Sequence, residues 1–333
     1  MERWIPTYFK EFRCLAGACP DSCCKDWAVD VDDASAARYR ALPGALGDRL
    51  RQVLRDTEDG VVMAVEDGRC PMWRRDGLCR IQAELGHAAL CQVCRQFPRL
   101  RHDYGDFEEW GLELSCPEAA RLILTAPDAA FIKEETAADA GVPDYDKTAM
   151  AVLRRTRAEI LDFLCRQDYT VPQALSILLL FGYEVQAELD GGEEAVLEPE
   201  RALADGIKFA GKGDKKGLFA FFQNLEILTR RWEQLLERGA APACWQETHR
   251  ALARYMVSRY WLQAISDFDL ISRIKLTVVS CLVVSAMEGD PIETAQLFSK
   301  EIENDPDNVE AILDGAYTAP AMTDTALLGA LFE

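Results

Sequence analysis

Nine of the twelve cysteines in this chain lie between residues 14 and 116, and their spacing is what could do chemistry. "CLAGACPDSCC" sets Cys14, Cys19, Cys23 and Cys24 within eleven positions. Cys70 and Cys79 flank "PMWRRDGL", Cys91 and Cys94 make a Cys-x2-Cys pair, and Cys116 closes the set. Thiolate is a soft ligand that suits zinc or iron–sulfur clusters, and a Cys-x2-Cys turn aims two sulfurs at one metal. Only one such pair exists, so the match to a zinc ribbon is partial and several loops must converge. Nine thiols also exceed the four of one site: either a second site exists or some of them are structural. Cys23 and Cys24 are adjacent, and in extended backbone adjacent side chains face opposite ways. One then ligates while the other packs, or each serves a different site.

The other three cysteines, Cys165, Cys244 and Cys281, are scattered through the rest of the chain. The opening "MERWIPTYFKEFRC" has no apolar core of signal-peptide length, and "LTVVSCLVVSAM" (276–287) is too short for a membrane span and suits a buried helix. The expected location is therefore cytoplasmic, with no membrane partner. Thiols stay reduced there, so metal ligation or redox chemistry is favoured over disulfides. The net charge of -19 argues against sequence-independent nucleic-acid binding, because phosphates would be repelled. Residues 1–117 carry a net of only -4, so the acidic surface lies outside the cysteine-rich part.

The elements that must position these thiols are of two kinds. Up to about residue 127 the chain reads as an irregular cysteine-rich module with short strands. "WAVDVD" (27–32) alternates like a half-buried strand, and "GVVMAVEDGRC" (60–70) repeats the pattern into an Asp67-Gly68 turn. "DYGDFEEWGLELSC" (103–116) reads as a hairpin turning near Gly105. Short helices are expected from Asp33 to the Pro43-Gly44 break, and from Ser115-Cys116-Pro117 to Pro127. A loop over roughly 128–147 separates this module (1–127) from an α-helical domain (148–333). Long amphipathic segments follow at 146–167, 171–189, 217–239, 244–265 and 270–289, with a terminal helix pair around Asp305-Pro306. The expected fold is thus mainly α, with the cysteine-rich module packed on a C-terminal helical bundle.

With these residues in hand, the sequence resembles the flagellin lysine-N-methylase family, whose wider relatives are small cysteine-rich zinc or iron chelators. The likeness is carried by "FRCLAGACPDSCCKDWAVDVD", "GRCPMWRRDGLCRIQAELG", "LCQVCRQFPRL" and "ELSCPEAARLIL", and at the far end by "FSKEIENDPDNVEAIL". It implies transfer of methyl groups from S-adenosyl-L-methionine to flagellin lysines by a protein holding a [4Fe-4S] cluster, with zinc as the alternative metal. Carried over by position, the metal-site cysteines are Cys14, Cys19, Cys23, Cys24, Cys70, Cys79, Cys91, Cys94 and Cys116, with Trp27, Pro98 and Arg99 as companions. The chain departs from the family pattern at His87, where an acidic residue is commoner, and at Asn304, where a His is commoner. It also departs at Arg254-Tyr255, where an Asn-Tyr pair is expected.

Arg95, Arg99 and Arg101 either neutralise a thiolate-ligated cluster or bind the methyl donor's carboxylate. The loop "AGKGDKKG", with Gly211, Gly213 and Gly217, follows no convincing strand and reads as a solvated connector rather than a nucleotide cradle. Cys19-x3-Cys23 is half of the Cys-x3-Cys-x2-Cys loop of radical enzymes that cleave S-adenosylmethionine, but Asp26 stands where the third cysteine belongs. His87 and His102 read as surface residues, although His87 could complete a Cys3His site. Tyr255, Arg259, Tyr260 and Trp261 read as a core stripe before a lysine pocket, and Glu108, Glu109 and Glu113 as a solvated acidic edge before proton acceptors. No Ser–His–Asp or Cys–His nucleophile can be assembled, and no catalytic residue is assigned. The competing reading is a non-catalytic zinc- or iron-binding, or redox, interaction protein.

Overall fold

The computed structural model describes residues 1–333 apart from 26, 59, 129 and 137–140. Fifteen α-helices and seven short strands among these residues make the fold mainly α, as the periodicities predict. At its centre is the helix Leu270–Ser285, all 16 residues of which are buried. Its Thr277 and Ser280 hydroxyls donate back to the carbonyls of Arg273 and Leu276 at 3.0 and 2.7 Å, which is how a polar residue survives inside an apolar helix. Asp269 caps its start by accepting from the Ser272 amide. Around it pack the helices Val171–Leu189, Glu247–Tyr260, Pro291–Ile302 and Pro306–Thr318.

The amphipathic segment 217–239 forms two helices, Lys215–Gln223 and Arg230–Arg238. The break is held by Glu301, whose carboxylate accepts from the Leu228 amide and the Thr229 hydroxyl. Several helices carried no sequence expectation, among them Gly44–Val53, Pro199–Phe209 and Asp324–Phe332. Among the described residues no helix is long and apolar enough to cross a membrane.

The strands are β1 (Glu2–Pro6), β2 (Val29–Val31), β3 (Leu54–Thr57), β4 (Gly60–Met63), β5 (Arg99–Asp103), β6 (Phe107–Leu112) and β7 (Phe131–Glu135). One sheet has the order β5-β6-β1-β7, the other β2-β4-β3. The expected hairpin is β5–β6, antiparallel in the register Arg99↔Leu112, with Gly105 at φ +90° in its turn. The Asp67-Gly68 turn also forms, both residues taking positive φ as an Asp-Gly turn allows. β1 and β7 were not expected: β1 runs parallel to β6 and antiparallel to β7, which lies inside the stretch read as a connecting loop. Residues 129 and 137–140 of that stretch lie outside the described residues.

Apolar burial divides into two clusters. The larger runs from Phe12 and Phe107 through the helical body to Leu331. The smaller gathers β2, β4 and the helices Asp33–Ala41 and Gly44–Val53, and includes Cys70 and Cys91.

Candidate functional site

Loops from four parts of the chain meet around one cavity. The Cys14–Cys19 loop crosses the 76–78 turn at a glycine–glycine contact: Gly77 sits at φ +79°, and a Cβ added to it would lie 3.1 Å from the Gly17 Cα. A Cβ on Gly17 would lie 2.7 Å from the Asp76 carbonyl oxygen. Only glycine at both positions lets these two cysteine loops approach so closely. Cys79, Cys91 and Cys116 each occupy the position just before a helix, at Arg80–Leu85, Gln92–Gln96 and Pro117–Thr125. "Cysteine, then helix" is thus a recurring local device here.

The cavity encloses about 500 Å³ and is lined by seven of the nine cysteines: Cys14, Cys19, Cys23, Cys24, Cys79, Cys94 and Cys116. Trp27, Pro98 and Arg99 line it as well, and so do Arg13 and His87. Cys70 and Cys91 are buried behind the wall in the smaller core. Arg99 is therefore in the wall, its guanidinium 5.3 Å from the Phe12 ring, whereas Arg95 is exposed on its short helix and lies outside the lining. Arg13 was not singled out from the sequence; only its place immediately before Cys14 could have suggested it.

The thiols are linked to one another. Cys24 accepts hydrogen bonds from Cys23 and Cys70, which pulls its thiol well below the usual cysteine range. Cys23 and Cys70, as donors, are pushed up. Cys70 has one proton, and Met63 Sδ at 3.4 Å competes for it. In the same way Cys94 donates to Cys91, lowering Cys91 and raising itself. Burial pushes Cys116 up to about 11. The alternation argument for Cys23 and Cys24 fails because both lie in a turn, where adjacent side chains can meet.

A single zinc needs four donors within roughly 2.3 Å of one point. Among the described residues no three His, Cys, Asp or Glu side chains converge in that way. Seven thiols spread over a cavity wall suit a larger thiophilic group, whose own atoms fill the middle and keep its ligands apart.

The other sequence candidates lie elsewhere. Glu108 and Glu109 are buried, contrary to a solvated acidic edge. Glu108 sits between Arg3 and Arg101, each at 2.5 Å; burial pushes its carboxyl up, but the two arginines outweigh this and hold it below the usual range. Glu109 is paired with Arg157 at 2.7 Å. Glu113 is raised by burial. Tyr255 and Tyr260 are core residues, as the helical stripe predicts, and Arg259 is half-buried beside them. They close on Glu303, which accepts from Tyr260 at 2.9 Å and from Arg259 at 3.2 Å. Trp261 is buried and donates to Thr156. His102 is half-buried and lies against this network, and burial and Arg259 lower its pKa; His249 is a core residue. The glycine loop is not an open phosphate cradle: the Gly211 amide donates to the Thr325 carbonyl and the Gly213 amide to the Glu333 carboxylate.

Fold and site together define a class: a mainly α-helical protein with a cavity lined by seven cysteines. Known sequences narrow this. The chain is 32% identical over 143 residues to the flagellar biosynthetic protein FliU of Salmonella muenchen, covering 39% of this chain and 81% of that protein. It is 31% identical over 144 residues to the lysine-N-methylases of Salmonella typhimurium strain LT2 and Salmonella choleraesuis strain SC-B67. The chain belongs to this flagellin lysine-N-methylase family. It spans about a third (34%) of the length of the two lysine-N-methylases. A match of 143 residues cannot reach from Cys14 to Leu313, so it is narrower than the near-complete resemblance read from the motifs. No family model and no solved structure matches the chain.

Proposed function

We propose that this protein is a cytoplasmic S-adenosyl-L-methionine-dependent protein-lysine N-methyltransferase that acts on flagellin and holds a [4Fe-4S] cluster in the cysteine-lined cavity. The observation that carries this reading is that cavity, lined by seven cysteines, in a chain related to FliU and to lysine-N-methylases. Four of the seven lining cysteines would hold the cluster, and Cys70 and Cys91 would support the wall from behind. When bound, the cluster would supply redox-active iron with Lewis-acid character. Arg99, which lines the cavity together with Arg13, would meet the carboxylate of the methyl donor or the charge of the thiolates.

In the group transfer, the methyl–sulfonium bond breaks as a bond forms to the lysine ε-nitrogen. S-adenosylhomocysteine leaves and the amine loses a proton. The amine must be neutral when it attacks, so the site has to take up that proton in a dry setting.

Chain purified without oxygen and incubated with flagellin and methyl-labelled S-adenosylmethionine should place label on flagellin lysines, and Cys24→Ser should abolish it. No label from protein that retains its metal would overturn the methylase reading and favour the non-catalytic metal-binding or redox protein instead.

A further inference from the structure

The helix Pro291–Ile302 reaches the cysteine loops with one face. Asp290 and Pro291 start it, with Asp290 accepting from the Ile292 and Glu293 amides. Gln296, Lys300 and Glu303 follow at i, i+4 and i+7, so they align along one side. Gln296 donates to the Ser115 carbonyl at 2.6 Å and to Asp21 at 3.2 Å. Lys300, only 2% exposed, reaches Asp21 at 3.2 Å and lies 5.1 Å from the Trp27 ring centre. Glu303 closes the Tyr255–Arg259–Tyr260 network, and the Tyr255 hydroxyl accepts from the Leu114 amide at 3.3 Å.

The partners on the cysteine side are the cavity wall itself. Asp21, Trp27 and Ser115 all line it, Asp21 sits between Cys19 and Cys23, and Ser115 precedes Cys116. Cys19 donates to the Asp21 carbonyl at 3.2 Å, so the loop's backbone and its thiol move together. A lysine is rarely fully buried unless paired, since removing an ammonium from water costs several kcal/mol. A hydrophobic residue would fill that volume without the cost, so the buried charge points to a role in fixing the loop.

We propose that Gln296 and Lys300 form a clamp that holds the Cys19–Cys24 loop and the Ser115–Cys116 turn against the helical body, making Lys300 a positioning residue for the cavity. The clamp explains physically why "FSKEIE", some 280 residues from the first cysteines, belongs to the same site. It does not depend on methyl transfer or on bound metal, so it stands or falls apart from the proposed activity.

The test is alkylation of the full-length, metal-free, reduced chain by iodoacetamide, read cysteine by cysteine by mass spectrometry. Exposed Cys244 serves as internal reference. Lys300→Met should raise the rates at the half-buried Cys19 and Cys24 roughly tenfold relative to Cys244, as the loop opens locally more often. Lys300→Arg should restore most of the protection. Asp21→Asn, on the half-exposed side of the pair, should reproduce the effect should Lys300→Met fail to fold. The double variant should cost less than the two single effects together, because both variants break the Asp21–Lys300 pair. Unchanged rates in Lys300→Met or Asp21→Asn, or fully additive effects, would overturn the clamp.

Discussion

The helix Leu270–Ser285 and the loop Cys14–Cys24 are opposite solutions to ordering a chain. The helix is buried along its whole length, and its hydroxyls are folded back onto its own carbonyls. The loop has one short 3-10 turn, leaves Cys14 and Cys23 exposed, and is pinned by a glycine crossing and by Asp21's contacts with Lys300 and Gln296. Most of the apolar burial therefore lies in the helical body, while the cysteine loop is held at its margin by a few specific contacts.

Substitutions should rank accordingly. Arg157→Met strands Glu109 without its partner inside the core and should cost about 3–5 kcal/mol in urea unfolding. Leu276→Ala, at a fully buried position of the central helix, should cost about 2–5 kcal/mol in the same assay.

The Glu301 latch gives a pH-dependent prediction. Burial raises its carboxyl from 4.5 to about 7. The folded state then holds a proton that the unfolded chain releases, so this group's contribution to stability is present below pH 4.5 and is lost as pH rises towards 7. The loss should be on the order of 3 kcal/mol. Glu301→Gln should remove that slope when unfolding is measured from pH 4.5 to 7.5, and an unchanged slope would show that Glu301 is not its source.

Gly17→Ala forces the crossing of the two cysteine loops apart and should cost about 1–3 kcal/mol. It should expose the half-buried Cys19 to alkylation while the far-ultraviolet circular dichroism stays unchanged. The smallest effect is expected on the surface: Arg231→Ala removes an exposed pair with Glu293 and should change stability by less than about 0.5 kcal/mol.

The same division governs how much the sequence revealed. The central helix was legible because its apolar run is long, and the Asp67-Gly68 and Gly105 turns because their signals are local. β1 and β7 were not, since "ERWIP" and "FIKEE" are short and their pairing joins residues about 130 positions apart. For the site, spacing told that the cysteines collect but not which face the cavity. That depends on Gly17 meeting Gly77, and on a turn at Cys23-Cys24 that the alternation rule does not describe. Nor did any local pattern mark Lys300 or Gln296, because each acts on a partner more than 180 residues away. Glu108 and Glu109 misled because charge density alone does not distinguish an exposed edge from a buried pair of ion bridges.

The most direct test of the central claim is the iron, zinc and acid-labile sulfide content of the chain purified without oxygen. The account predicts about four irons and four sulfides per chain, lost in Cys24→Ser. Zinc alone, or no metal in soluble, folded protein, would contradict it.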